Sequence, residues 1–345
     1  MLRFLAPLFA SASIASADVP KVVTDIAPVH GLVAMVMEGV GAPDLILPPG
    51  ASPHHHAMRP SEARALAGSD LVVWIGHGLT PWLETPLESL ASGAGVLTLE
   101  EAAGTVLLEM RQEAIFDGHD HGHGHGHDDH EDEHGEEHGH DGHEDDHDEE
   151  HGHDDHDDDH DKEHGHDDHE QALSDPHVWL DPVNSSVWLQ AIAERLSLLD
   201  PENAATYAAN AKAGQAIMAS LQDEISATLA GLGDAPIVVL HDGFQYFEAR
   251  FGLTVVAAIS DGDAAKPGPA RVAAVRDHLR ETGARCILSE PGTQQALVAT
   301  VAEGTDVGQA TLDLLGVEVP LGVTHYADTL RGIAASVREC IGERS

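Results

Sequence analysis

The distribution of apolar residues predicts an α/β protein with two lobes. In the first part of the chain, short runs rich in Val, Leu and Ile are bounded by Pro or Gly and predict buried strands at 21–26, 44–47 and 71–75. Helical patterns lie between these runs at 29–40 and 60–67. Because strands that alternate with helices favour parallel pairing, we expect a mostly parallel sheet flanked by helices.

The second part of the chain repeats this alternation. Apolar runs predict strands at 236–240, 254–259 and 285–288, and helical patterns cover 269–281 and 293–303. No close sequence repeat relates the two parts. The shared alternation nevertheless predicts a second lobe of similar plan.

A long helix is expected to join the two lobes as one rigid element. The segment Asp200-Pro201-Glu202 has the features of a helix start, with an Asp cap, Pro at the first position and an acid in the first turn. From 202 to 230 there is no Pro and a single glycine, Gly214. The predicted division of the chain is a leader, a first lobe, a linking helix and a second lobe: 1–17, 18–199, 200–231 and 232–345.

A histidine-rich acidic tract interrupts the first lobe at 117–170. It holds 18 of the chain's 27 histidines, 26 acids and one lysine. Neutral imidazole binds zinc, copper and nickel, so the composition predicts metal binding. With almost no apolar residues, the tract is expected to be a disordered loop. Auxiliary weak metal sites are expected at its first histidines: His119, His121, His123, His125 and His127. The alternative is a solvated acidic linker.

The net charge indicates which classes of partner the protein can bind. The formal net charge is −43, of which the tract supplies −25. A chain this acidic repels nucleic acid and anionic membranes, so neither is an expected partner. Small cations are the natural ligands.

The first 17 residues have the pattern of a secretory signal. Arg3 precedes the apolar stretch 4–15, which is too short to anchor the chain in a bilayer, and Ala15-Ser16-Ala17 is a small-x-small cleavage site. We expect cleavage after Ala17 and export. No Cys follows the site, so no lipid anchor is expected.

The chain has two cysteines, Cys286 and Cys340. In an oxidising compartment an even pair favours a disulfide. Two unrelated buried thiols are the alternative. Nothing in their spacing indicates redox catalysis.

Candidate metal ligands occur where predicted strands end. In open α/β sheets, ligands bind beyond the carboxyl ends of the strands. The candidates are His54 in the turn 49–56, His177 in the Pro-flanked segment 175–182, His241 directly after a strand, Glu290 after another strand, and Asp313 near a further turn. Three imidazoles with an open or variable fourth position suit Zn²⁺. Glu290 and Asp313 are candidates for a fourth ligand or for an outer hydrogen-bond partner.

The segment around His177 contains two acids that can orient its ring. Asp175 or Asp181 can accept a hydrogen bond from the second imidazole nitrogen, as carboxylates commonly do for metal-bound histidines. His77 also ends a strand and stays a candidate for a role near the site. The remaining isolated histidines and three of the tryptophans are interpreted as structural: His30, His278, His325, Trp82, Trp179 and Trp188. The nucleophile-elbow, phosphate-loop and HExxH patterns are missing from the sequence.

At these motifs the chain resembles the zinc-specific solute-binding proteins of bacterial ABC importers, the ZnuA type. The resemblance covers nearly all of the mature chain. The segments that carry it are Gly50-Ala51-Ser52-Pro53-His54 followed by Arg59-Pro60-Ser61, Asp175-Pro176-His177-Val178-Trp179-Leu180-Asp181-Pro182, His241-Asp242 and Ser289-Glu290-Pro291. The histidine-rich insert and the Cys286/Cys340 pair also belong to that type.

The resemblance implies two lobes with a metal ion between them, held by His54, His177 and His241. Related manganese-type proteins carry Glu at the position of His241, and Glu290 and Asp313 match positions that ligate in them. A water or a tract histidine can complete the zinc site. The implied protein is a periplasmic monomer that delivers Zn²⁺ to a membrane permease and is not an enzyme.

Two other functions stay open from the residues alone. A zinc storage or buffering protein would use the tract as its main site. A secreted zinc hydrolase would use three histidine ligands with Glu290 as general base. No recognisable catalytic motif supports the hydrolase.

Overall fold

Two parallel sheets form the framework of the protein. We describe it from a computed structural model that covers residues 19–111, 113–116, 174–260, 262, 266–292 and 294–342. Within these residues the strands are β1 (Val22–Thr24), β2 (Asp44–Leu45), β3 (Leu71–Trp74), β4 (Gly95–Thr98), β5 (Pro236–His241), β6 (Thr254–Ser260), β7 (Cys286–Ser289) and β8 (Gly308–Thr311). The sheet orders are β2-β1-β3-β4 and β6-β5-β7-β8, with every neighbouring pair parallel. The prediction of two α/β lobes of similar plan is confirmed.

Helices cover the faces of both sheets. They are α1 (Ala27–Val36), α2 (Pro60–Ala67), α3 (Glu84–Leu90), α4 (Pro182–Leu199), α5 (Ala204–Leu229), α6 (Gln245–Phe251), α7 (Pro269–Thr282), α8 (Gln295–Ala302) and α9 (His325–Gly342). Short 3₁₀ turns lie at Pro81–Leu83 and Val178–Leu180. None of these described helices combines the length and apolar character needed to cross a membrane.

The central strands of each sheet are buried on both faces, as their uninterrupted apolar sequences require. In the first sheet, Val22 and Leu71 face one apolar cluster while Val23 and Val72 face another. The strands of the second sheet alternate in the same way. Successive residues of a strand face opposite sides of the sheet. Because both sides of these strands are covered by apolar clusters, the strands form continuous apolar runs in the sequence.

One apolar core extends across both lobes. The long helix α5 packs against α1 and α4 of the first lobe and against α6 and α9 of the second. Its buried stripe, with Tyr207, Met218 and Ile225, belongs to the same cluster as the inner faces of both sheets. The predicted linking helix is therefore confirmed, and the shared core holds the two lobes as one compact unit.

The start of this helix differs from the prediction. It begins at Ala204 with Asn203 as its cap, so Asp200-Pro201-Glu202 precedes it. The carboxylate of Asp200 accepts hydrogen bonds from the Asn203 side chain (2.7 Å) and the Tyr207 hydroxyl (2.8 Å). Asp200 thus closes a separate turn that connects α4 to α5.

Other differences concern ends and weak elements. The helix predicted at 29–40 ends at Val36, shortly before Gly39, whose φ of 79° is incompatible with helix continuation. Strands β1 and β2 are shorter than predicted. Several elements were not predicted at all: β4, β8, α3, α4, α6 and α9. The predicted signal at 1–17 and the tract at 117–170 lie outside the described residues.

A disulfide joins the second sheet to the last helix. Cys286 on β7 and Cys340 on α9 are bonded, with 5.8 Å between their Cα atoms. The predicted pairing is confirmed. It closes a loop with a sequence separation of 54 residues within the second lobe.

Candidate metal centre

Three chain segments bring His54, His177 and His241 together. His54 lies in the connection from β2 to α2, and His241 is the last residue of β5. His177 immediately precedes the 3₁₀ turn Val178–Leu180. Both strands end at the carboxyl edge of their sheets, which is where the parallel arrangement predicts a ligand site.

The facing nitrogens of the three rings converge. The Nε2 atom of His177 lies 3.4 Å from that of His54 and 3.3 Å from that of His241. One potential ligand atom from each histidine falls within 4.8 Å of the others. His177 and His241 are buried and His54 is half-buried. Two nitrogens bound tetrahedrally at about 2.0–2.1 Å from one zinc ion would be about 3.3 Å apart, so the spacing fits such an ion.

A carboxylate orients each of the two buried rings. The carboxylate of Asp175 accepts hydrogen bonds from Nδ1 (2.7 Å) and the backbone N–H (2.9 Å) of His177. Glu290 contacts the Nδ1 atom of His241. With Nδ1 engaged in this way, the Nε2 atom of each ring faces the convergence point. Carboxylates in this position fix ring orientation and make the nitrogen more basic.

Gly243 leaves room for the convergence. A Cβ atom at this position would lie 2.5 Å from the Nε2 atom of His241 and 3.0 Å from that of His177. Any side chain at 243 would therefore occupy the space that an ion bound to these nitrogens needs. A cavity of about 250 Å³ lies beside the rings and is also lined by His55, Met110 and Arg111.

The segment of His177 is fixed to both lobes. The backbone N–H of Asp175 donates to the carbonyl of Leu108 in the first lobe (2.8 Å). The indole N–H of Trp179 donates to the carbonyl of Leu314 (3.0 Å), and the Tyr326 hydroxyl donates to the carbonyl of Trp179 (2.7 Å). The segment of His177 is thus held by hydrogen bonds to residues of both lobes.

Of the two acids proposed to orient His177, only Asp175 contacts it. Asp181 caps α4 by accepting from the backbone N–H of Val183 (2.8 Å). It also makes a two-bonded ion pair with Arg250 (2.7 and 2.6 Å). Pro182 at the first helical position explains the cap at Asp181.

The sequence did not indicate a role for Arg111, which forms ion pairs with Glu248 and with Asp242, the residue after His241. Its guanidinium hydrogen-bonds Asp242 twice (2.8 and 2.5 Å), lies 2.9 Å from Glu248, and covers the ring of Phe116. Burial lowers the pKa of Arg111, but the bonds to Asp242 and the charge of Glu248 outweigh it and raise the pKa. No local pattern identifies this group, because its partner lies 131 residues away.

The other sequence candidates lie elsewhere. Asp313 is not among the three grouped residues, and its carboxylate accepts from the backbone N–H of Glu318 (3.2 Å). His77 pairs with Glu84 at an exposed position (2.9 Å). The auxiliary histidines at 119–127 lie outside the described residues. The assignment of Asp313 and of those histidines to metal stays a prediction.

Comparisons with known proteins give the family. The model for ZnuA, described as "Zinc-uptake complex component A periplasmic", matches residues 22–340. The high-affinity zinc uptake system protein ZnuA of Paracoccus denitrificans is 42% identical over 342 residues, covering 99% of this chain and 98% of its own. The protein of the same name from Brucella suis is 39% identical over 322 residues, with coverages of 93% and 92%.

Solved structures show the same fold. A crystal structure of ZnuA superimposes with a TM-score of 0.69 at 18% identity, covering 94% of this chain and 100% of its own. At 18% identity this superposition shows the fold alone. The family model and the relatives at 39–42% identity show the family. The chain therefore belongs to the ZnuA family, the periplasmic component A of the zinc-uptake complex.

Proposed function

We propose that this protein captures Zn²⁺ in the periplasm and delivers it to the permease of an ABC importer. His54, His177 and His241 bind the ion through Nε2, and a water or another group takes the fourth position. The single observation that carries this proposal is the spacing of the Nε2 atoms, 3.3 and 3.4 Å, which fits tetrahedral zinc. The names of the relatives support the identity of the ion.

The surroundings of the three histidines support capture rather than hydrolysis. A zinc hydrolase needs a general base aimed at a metal-bound water. Glu290, the carboxylate considered for that role, contacts Nδ1 of His241 and so acts on the orientation of a ligand. Membership of a family of uptake components supports the same conclusion.

Several further features complete the proposed cycle. The signal at 1–17 directs export and is removed after Ala17. In this proposal the mature chain acts in the periplasm as a monomer without a lipid anchor. The permease recognises the loaded protein and receives the ion. The tract at 117–170 gathers ions weakly and raises their concentration near the tight site, as tethering raises effective concentration.

Zinc titration of substituted proteins tests the ligand assignment. His177→Ala removes the central nitrogen and should weaken tight binding at least a hundredfold. His77→Ala is the matched control, because His77 is exposed and pairs with Glu84 away from the three rings. Unchanged tight binding in His177→Ala, measured by competition with a chelator, would contradict the proposed site.

Deletion of 117–170 separates uptake from storage. We expect one tight site to remain and the weak sites to disappear. Loss of tight binding on deletion would instead favour a storage protein whose main site is the tract. Isothermal titration of the full and shortened chains measures both populations.

A further inference from the structure

The loop that carries His54 is held on both sides of this residue. It connects β2 to α2 and contains three consecutive histidines, His54, His55 and His56. On the N-terminal side, the indole N–H of Trp82 donates to the carbonyl of Pro53 (2.7 Å). Pro53 is buried. The residue directly before His54 is therefore fixed to the turn Pro81–Leu83.

On the C-terminal side, the side chain of His56 is bonded to an acid. Its Nε2 atom lies 2.8 Å from the carboxylate of Glu62, and the two side chains are only 8% and 10% exposed. The ring of His56 packs edge-on against Trp82, with 4.9 Å between the ring centres. Trp82 therefore contacts both flanks of His54.

Glu62 links this contact to the first turn of α2. The carboxylate oxygen that pairs with His56 also accepts the backbone N–H of Arg59 (2.7 Å), which is the cap residue of the helix. Burial alone would raise the pKa of Glu62, but the N–H of Arg59 and the bond to His56 outweigh it and lower the pKa. A charged acceptor thus fixes the loop to a regular element.

We propose that His56, Glu62 and Trp82 are positioning residues for His54. They hold the backbone on either side of His54 so that its ring meets the incoming ion without a further ordering step. This inference rests on the proposed function, because it assumes that His54 binds the ion. A ligand on a loop otherwise loses conformational freedom when the ion binds, and that loss weakens affinity. Groups that hydrogen-bond a metal ligand directly commonly change metal affinity 10–100-fold, so the lower end of that range is expected for supports of its flanking residues.

Zinc binding by Glu62→Ala and Trp82→Phe tests the proposal. Phe keeps an aromatic ring beside His56 but lacks the indole N–H that the carbonyl of Pro53 accepts. We expect zinc affinity to fall about tenfold in each, mainly through faster dissociation, since the free loop samples positions without contact. Glu62→Gln keeps an acceptor oxygen and should recover part of the loss. Leu71→Ala is the control for general destabilisation, because Leu71 is buried at the start of β3, whereas the loop of His54 follows the carboxyl end of the parallel strand β2.

A double-mutant cycle with His54→Ala decides whether the effect acts through His54. In that background, Glu62→Ala should change zinc affinity no further. Equal losses in both backgrounds, or losses no larger than that of Leu71→Ala, would overturn the positioning role. If His54→Ala itself leaves tight binding unchanged, the proposed function fails and not merely this inference.

Discussion

The two lobes share a strand order but present their histidines differently. In the second lobe, His241 is the last residue of β5, and its backbone pairs in register with Ser260 of β6. In the first lobe, the corresponding inner strand β1 is followed by the buried Asp25, and the proposed ligand His54 comes from the loop after edge strand β2. A strand end fixes a side chain through the sheet, whereas a loop needs separate anchors. The contacts of His56, Glu62 and Trp82 provide such anchors for the residues on either side of His54.

The lobes also differ in how they are stabilised. Strands β5 and β6 have six and seven residues, whereas β1 and β2 have three and two. The second lobe carries the Cys286–Cys340 disulfide, and its Asp242 and Glu248 pair with Arg111 from the first lobe. We expect changes in these features to affect stability most, and changes around the ring nitrogens to affect binding.

Removal of the disulfide has the largest expected effect. A cross-link over 54 residues contributes about 4 kcal/mol to the free energy of unfolding in the chain-entropy model. The double variant Cys286→Ala/Cys340→Ala should lose about that amount, measured by urea denaturation, with little change in zinc affinity of the folded protein. A comparable loss of zinc affinity would show that α9 and β7 position the site and do not merely stabilise the lobe.

Removal of the Arg111 guanidinium is expected to come next. Arg111→Met leaves Asp242 and Glu248, 15% and 14% exposed, without their cation, which should cost about 2–3 kcal/mol of unfolding free energy. The control is Arg331→Met, because Arg331 pairs with Glu224 at a 42–50% exposed position and should contribute under about 1 kcal/mol. Equal effects in thermal denaturation would contradict the role assigned to burial.

The two orienting carboxylates allow a direct comparison of the ring supports. Asp175→Asn should weaken zinc binding about 10–100-fold, because Asp175 accepts hydrogen bonds from the ring Nδ1 and the backbone N–H of His177. Glu290→Gln should have a smaller effect, since Glu290 is 20% exposed and Asp175 only 3%. Competition titrations of both variants give the order, and a larger loss for Glu290→Gln would reverse it.

The smallest expected effect is a pH dependence that arises in the first lobe. Burial raises the pKa of Asp25 to about 7, although the N–H groups of Ile75 and Ile26 oppose this. Because the folded state holds this proton more tightly than the unfolded state, the contribution to stability is present at low pH and is lost as pH rises through about 7. Between pH 6 and pH 8 the loss should be about 1 kcal/mol.

Asp25→Asn isolates this contribution. The difference in unfolding free energy between wild type and variant, from urea titrations at each pH, should fall over that interval. A constant difference would show that Asp25 stays charged in the folded protein, as its two N–H donors favour.

The elements with strong periodicity were predictable because their pattern is local. The helix at 60–67 and the central strands follow from a few adjacent residues. Strand β8 is half-exposed and has the weakly apolar sequence Gly-Gln-Ala-Thr, so its pairing with β7 depends on contacts that the pattern does not contain. The start of α5 was misplaced because Asp200, an ordinary cap residue, bonds a turn of its own instead.

In the candidate site, too, some features could be predicted from the sequence and others could not. Residue order and residue type indicated which histidines follow strands, because the carboxyl ends of parallel strands meet at one edge. They could not indicate which of His54, His55 and His56 faces inward. That choice depends on Glu62 and on Trp82, which packs on the loop from 26 or more residues away. Likewise, the pairing of Arg111 with Asp242 joins residues 131 apart.

The amino-acid order was thus sufficient for the class of fold, the repeated plan of the lobes and the set of candidate ligands, since each rests on local periodicity or local chemistry. The convergence of three nitrogens at 3.3 and 3.4 Å, the space left by Gly243 and the carboxylate chosen by each ring required the folded chain. Those properties are distances between residues far apart in sequence, and only packing of the two lobes around one core sets them.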